Sequence, residues 1–333
     1  MSDFSQPMPG HQPAIEGEAT RGGNEPPSGK KRKSGGKSLW ADARSDLLRS
    51  PMFVTALLIL LVVLSWAVVP GVWATQGRTE CDIGESNLPP TWWPFSLPPG
   101  ITEDRLVDGH LFGTTTLGCD MYSEIIYGAR PSIIVAVTVT LFTVLIGTTL
   151  GILSGYFGGW TDTIISRITD IVLGLPFLLG ALVFLALLKS QGIIPLTIVL
   201  VALGWTSMSR IVRGSVLSLR DQDFVDAARA MGASNSRIIL RHILPNSLGP
   251  VIVLATLYVG SFVAAEATLT FLGVGLPQGE TLSWGITIQE GQNLATAGFS
   301  HLLVFPCIAL ILTVLSFILM GDKLRDALDP KGR

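Results

Sequence analysis

The sequence predicts an all-α polytopic membrane protein: six transmembrane helices, a long polar loop on the cytoplasmic side and an extended first extracytoplasmic segment. Three observations predict it. Of 333 residues, 48% are hydrophobic and 14% charged, with a mean hydropathy of +0.51, a balance too apolar for an ordinary soluble domain. Six apolar segments, 52–69, 131–156, 164–188, 194–212, 248–271 and 302–320, approach or exceed the about 20 residues that cross a bilayer. With the N-terminus placed inside, nineteen Lys and Arg fall on cytoplasmic parts and four on the outside. That asymmetry sets both termini inside.

Residues 1–50 hold Gly, Pro, Ser and Glu, then the basic run Lys30, Lys31, Arg32, Lys33 and Lys37. They lack the apolar surface to fold alone and read as a disordered cytoplasmic tail. The basic run is a topology signal, with attraction to anionic membrane lipid as the alternative. The tail is too long, and the apolar stretch at 51–70 too able to span, for a cleavable signal peptide. Gly36, Lys37 and Ser38 imitate the end of a phosphate-binding loop, but Lys31 stands where its first glycine belongs.

Residues 71–130 form the first outside segment, rich in Pro, Trp and acids, including Trp92, Trp93, Glu103, Asp104 and Asp108. The paired Trp sit at the headgroup level or build a small core of that segment. Cys81 and Cys119 both fall here, while Cys307 lies in the last span. Two cysteines on the oxidising side invite a disulfide, with two free thiols as the alternative.

The remaining spans form a core at 131–322, followed by a short cytoplasmic tail at 323–333. Gly147, Gly151 and Gly155 recur every fourth residue, which puts them on one helix face and lets a second helix approach closely. Pro176 predicts a kink in the third span. Asp170, near the inner end of that span, and Glu266, near the outer end of the fifth, are ionisable groups at membrane depth. Each is read as capping or interhelical hydrogen bonding, with a gating role as the alternative.

The chain offers no catalytic constellation. Its four histidines are scattered, and no HExxH, CxxC or GxSxG pattern occurs, so neither a metal site nor a nucleophile elbow is expected. No basic patch interleaved with aromatics suggests nucleic acid. No train of acids or histidines runs through the spans, which weighs against an ion-gradient-driven secondary transporter.

The polar loop at 216–247 carries the strongest pattern. A helix starting around 218–221 would place Phe224, Ala227, Ala228 and Met231 on one face at i, i+3, i+4 and i+7, beside the carboxylate of Asp226. Gly232 is positioned to end it as a left-handed cap. Ser234 or Asn235 would cap a second short helix, and Pro245 would close the element before the fifth span.

At these residues the chain resembles the permease subunits of bacterial ABC importers. Their signature is Glu-Ala-Ala, three residues, Gly, nine residues, Ile-x-Leu-Pro. Here it reads Asp226-Ala227-Ala228, Gly232 and His242-Ile243-Leu244-Pro245. The resemblance is closest to the C-type permease of the dipeptide and oligopeptide branch, and it runs over about 107–333. It includes His110-Leu111-Phe112-Gly113-Thr114, Gly155-Tyr156-Phe157-Gly158-Gly159 and Leu269-Thr270-Phe271-Leu272-Gly273. Where that branch carries Asp and Arg in its external motif, this chain has Thr115 and Cys119, which adds weight to the disulfide. The resemblance implies a coupling helix, with Phe224, Asp226, Ala227, Ala228, Met231, Gly232, His242, Leu244 and Pro245 at an ATPase interface. It further implies a second homologous permease subunit, two ATP-binding subunits or domains that hold ATP and Mg, and an extracytoplasmic substrate-binding protein. This chain would be a non-catalytic subunit of the bacterial inner membrane with no cofactor of its own. The implied cargo is a peptide, with nickel, glutathione or oligosaccharide as alternatives.

Overall fold

The computed structural model describes residues 47–77, 80–94, 98, 101–102, 106 and 109–328. The basic run, the Gly36–Ser38 triplet, Glu103, Asp104, Asp108 and residues 329–333 lie outside these. Helix dominates. Two isolated antiparallel bridges, Cys81 with Cys119 and Thr114 with Asp120, pin the segment before the second span.

Helix α1, Pro51–Val68, opens on a proline at its first turn, where the missing N–H costs nothing. It buries Ala56, Leu60, Val63 and Ala67, one stripe at helical spacing. Helix α2, Met121–Phe157, begins well before the expected 131. Asp120 caps it, accepting from the Ser123 amide at 3.0 Å and from its hydroxyl at 2.7 Å. Met121, Ile125, Ile126 and Ala129 bury the first turns, so the helix continues through Pro131.

The third span is not one helix. Helix α3, Gly159–Leu173, and helix α4, Phe177–Leu188, meet at 85°. Proline disfavours helical backbone at Leu175 and removes a donor at 176, so the expected kink at Pro176 is a break. Helix α5, Ile193–Arg220, follows. Next come the short helices α6, Asp223–Ala230, and α7, Asn235–Ile238. A π turn, Ile239–Ile243, leads into α8, Leu244–Phe271. Helix α9, Trp284–Ala295, is capped by Ser283, and α10, His301–Leu328, closes the chain. Among the described residues five helical runs are long and apolar enough to span a membrane, or six if the bent pair counts as one.

The glycine stripe of α2 packs on α5. A Cβ at Gly147 would meet the Met208 Cβ at 2.7 Å; at Gly151, the Ser209 carbonyl oxygen at 2.6 Å; at Gly155, the Val216 Cβ at 2.9 Å. Backbone contact this close makes α2 and α5 one rigid pair.

The bundle has two loop sides, named here for Cys81 and Gly232. On the Cys81 side, Cys81 is joined to Cys119, their Cα atoms 4.2 Å apart. The His110 ring lies between Asp120, at 3.1 Å, and Glu85, at 3.2 Å. Trp92 and Trp93 pack edge-on against Phe305, at 5.8 and 5.4 Å between ring centroids, and Phe112 stacks on the same ring at 4.4 Å. Trp93 and Phe112 thus pack into the core at the start of α10, while Trp92 stays exposed. Helix α9 is anchored in the bundle: the fully buried Trp284 donates from Nε1 to the Ile125 carbonyl at 2.9 Å.

Candidate coupling surface

On the Gly232 side the chain between α5 and α8 folds back as a small two-helix platform. Helix α5 extends to Arg220, so α6 starts after Gln222, later than the 218–221 expected. Gly232 ends it at φ +79°. The Ala233 amide reaches the Ala228 carbonyl at 3.1 Å and the Gly232 amide reaches that of Arg229 at 3.0 Å, the two bonds of a Schellman cap. The Ser234 hydroxyl then caps α7 by accepting from the Arg237 amide at 3.4 Å.

Pro245 does not close this element. Residues 235–271 form one helical run. The π turn before Pro245 is the reason: proline offers no N–H and crowds the carbonyl four residues back. Widening the turn relieves the crowding, and Leu244 instead donates five residues back to Ile239. The Asn246 side chain satisfies the His242 carbonyl at 2.7 Å. The platform is therefore continuous with the span that follows it.

The expected four-residue contact face divides. Val225 and Ala228 turn inward at 0% and 3% exposure and pack with Tyr156, Val212, Val216, Ile238 and Ile243. Ala228 faces the bundle because the helical repeat pairs it with Val225, the more apolar partner. Phe224, Ala227 and Met231 face out, Met231 at 82% exposure, and Leu240 joins them. His242, half-buried, sits beside Phe224 with ring centroids 6.2 Å apart. Asp226 is exposed and pairs with Arg229 at 2.8 Å along the same helix. Leu244 is half-buried and Pro245 exposed. The platform thus has an inner face locked to the bundle and an outer face on which Phe224, Met231 and Leu240 are exposed.

Three polar ties hold the platform and the neighbouring helix ends. The Tyr156 hydroxyl donates to the Asn235 side chain at 2.9 Å. Arg220 donates to the Gly155 carbonyl at 3.2 Å. Arg213 grips Asp162 with two parallel bonds, 2.5 Å from Nε and 2.6 Å from Nη2, while Ser154 and Ser166 donate to the same carboxylate. Sequence reasoning missed the Asp162–Arg213 pair. The available signal was Arg213 itself, a cation at the end of an apolar run that requires a carboxylate within reach.

Asp170 and Glu266 are not brought together. Asp170 pairs with Arg210 at 2.7 Å, across α3 and α5. Glu266 is fully buried near the far end of α8 and accepts from the Thr270 hydroxyl at 3.0 Å, within its own helix.

Residues 147–333 match the family described as binding-protein-dependent transport system inner membrane component. The dipeptide transport system permease protein DppC of Bacillus subtilis is 36% identical over 292 residues, covering 88% of this chain and 86% of that protein. The oligopeptide transport system permease protein OppC of the same organism is 33% identical, covering 89% and 91%. The glutathione transport system permease protein GsiD of Pectobacterium atrosepticum is 38% identical, covering 72% and 79%. Among solved structures, an inward-facing form of the MetNI methionine ABC transporter is similar in fold. Its TM-score is 0.51 at 20% identity, over 62% of this chain and 96% of the matched chain. With its multi-pass helical fold and these relatives, the chain belongs to the binding-protein-dependent transport system inner membrane component family.

Proposed function

We propose that this chain is a permease subunit of an ATP-driven peptide importer, and that the 223–245 platform is where ATPase motion enters it. The observation that carries the reading is the two-faced platform. Its inner face is fixed to α2, α5 and α8 through Val225, Ala228 and Tyr156–Asn235, while Phe224, Met231 and Leu240 are exposed on its outer face. A partner pushing on that outer face moves the spans without first bending a linker.

In this reading the Gly232 side and both termini are cytoplasmic, consistent with the Lys and Arg bias. A second, homologous permease completes the path. Two ATP-binding subunits or domains hold ATP and Mg and clamp the platform, and a binding protein docks on the Cys81 side. The chain has no catalytic role. It works by having two arrangements that its partners bind unequally. Similarity to dipeptide and oligopeptide permeases supports short peptides as cargo.

The test is co-purification with candidate ATPase subunits and the binding protein, followed by ATP hydrolysis in lipid. Hydrolysis stimulated by peptide-loaded binding protein is expected. A stable complex whose hydrolysis ignores peptide and responds to nickel or an oligosaccharide would overturn the cargo assignment. Failure to associate with any ATPase would overturn the coupling assignment.

A further inference from the structure

Two open cavities lie along α3 and α5. The one nearer the bundle's middle is apolar, lined by residues including Val172, Phe177, Leu203, Tyr258 and Phe262. The one toward the Gly232 side has a volume of ≈ 310 Å³ and is lined by Ser166, Thr169, Asp170, Ser209, Arg210 and Arg213, among others. Volumes of small-molecule sites begin at about 300 Å³. The two cavities take neighbouring stretches of α3 and α5, the first adding α4 and α8 and the second adding Ser154 of α2.

Two ion pairs link α3 and α5 beside the second cavity, and they are not equivalent. Arg213 is committed: it makes two parallel bonds to Asp162, which is held by two serine hydroxyls besides. The Arg210–Asp170 contact is a single bond at 2.7 Å between side chains 58% and 54% exposed. With one bond where Arg213 makes two to Asp162, this pair is the less tightly held. The first pair is thus a fixed strut between α3 and α5, and the second is free to exchange partners.

We propose that Asp170 and Arg210 open to hold the two charged ends of a short zwitterionic peptide in transit. The ammonium replaces Arg210 at Asp170, and the carboxylate replaces Asp170 at Arg210, where a guanidinium offers two parallel donors. Thr169 and Ser209 line the same cavity and supply hydroxyls for the peptide amide between the ends. One ion pair is exchanged for two, with no net charge change, so the hold is weak and reversible, as a transit site requires. This rests on the peptide-import reading and assigns it a site inside this chain, distinct from selection by a binding protein.

The test reads the site without the binding protein. In the assembled, nucleotide-free transporter in lipid discs, Ile165→Cys places a thiol on the cavity wall for a membrane-impermeant methanethiosulfonate reagent, with labelling of the parent subtracted. Ala-Ala at four times its dissociation constant slows labelling about fivefold by simple occupancy. N-acetyl-Ala-Ala-amide does not. Protection disappears in Asp170→Asn with Arg210→Gln, and it returns in the exchanged variant Asp170→Arg with Arg210→Asp, where the poles are reversed. Equal protection by the blocked peptide, or none by Ala-Ala, would overturn the proposal. So would labelling that follows the phosphatidylethanolamine content of the disc and ignores peptide, because the occupant would then be a lipid headgroup. Peptide-stimulated ATP hydrolysis in the parent reports separately on the peptide-import reading.

Discussion

The hydroxyl of Tyr156 donates a 2.9 Å hydrogen bond to the side chain of Asn235, 79 residues away in sequence. It joins the last turn of α2, directly after the glycine stripe, to the first turn of α7. Because α2 and α5 are packed as one body through Gly147, Gly151 and Gly155, the bond ties the platform to a rigid pair of spans.

Tyr156→Phe removes that tie at little cost in packing. The stability loss expected is about 1 kcal/mol, the usual net value of such a bond. The larger effect falls on coupling. ATP hydrolysis continues while peptide uptake per ATP falls, measured as paired hydrolysis and uptake in the same proteoliposomes. An unchanged ratio would mean that the bond carries no motion.

The platform was partly legible in the sequence. The i, i+3, i+4, i+7 pattern located its first helix and Gly232 marked its end, because both are local. Pattern alone could not orient that helix. Whether Ala228 faces out with Phe224 or in with Val225 depends on Tyr156, Val212 and Val216 arriving from other helices. The π turn was invisible for a similar reason: Pro245 reads as the close of the element, and only the continuous run 235–271 shows the turn being widened to pass it. The 85° break between α3 and α4 exceeds the kink that Pro176 announced, since one helix-breaking proline sets where a span bends and not how far.

Gly151→Val should be far worse than a change at a glycine without neighbours. Its Cβ would fall 2.6 Å from the Ser209 carbonyl oxygen and 2.8 Å from the Val212 Cβ, and overpacking of this kind costs about 1–3 kcal/mol or more. Gly214, also helical but with nothing within 4 Å, should accept Ala with unchanged or slightly raised stability. Thermal unfolding monitored by size-exclusion fluorescence distinguishes the two. Similar losses at both positions would contradict the α2–α5 packing.

At Gly232 the constraint is backbone conformation and not space. Its φ is +79° and nothing lies within 4 Å of a Cβ built there. Gly232→Val carries the left-handed penalty of about 1–2 kcal/mol, loosens the Schellman cap and should abolish uptake while the protein still inserts. Gly232→Asn, better tolerated in that conformation, should retain most uptake. Equal loss in both variants would point to a contact at this position in place of a conformational need.

Non-reducing peptide mapping should recover Cys81 and Cys119 in one linked fragment, with Cys307 alone alkylated before reduction. Replacing both cysteines with serine opens a loop with a sequence separation of 38, and the loop-closure relation puts the destabilisation at about 3–4 kcal/mol. The loss should show as protease sensitivity of the 71–120 segment, leaving the α2–α5 pair intact.

The central claim is that the outer face of the platform meets the ATPase. Met231, at 82% exposure, is the position to probe. Met231→Cys in the assembled transporter, treated with a short bifunctional thiol reagent, should cross-link to the ATPase subunit, with a yield that changes between nucleotide-free and ATP-bound states. A cross-link confined to lipid or to the binding protein, or one with the ATPase that forms equally from the Cys81 side of the bundle, would contradict the account.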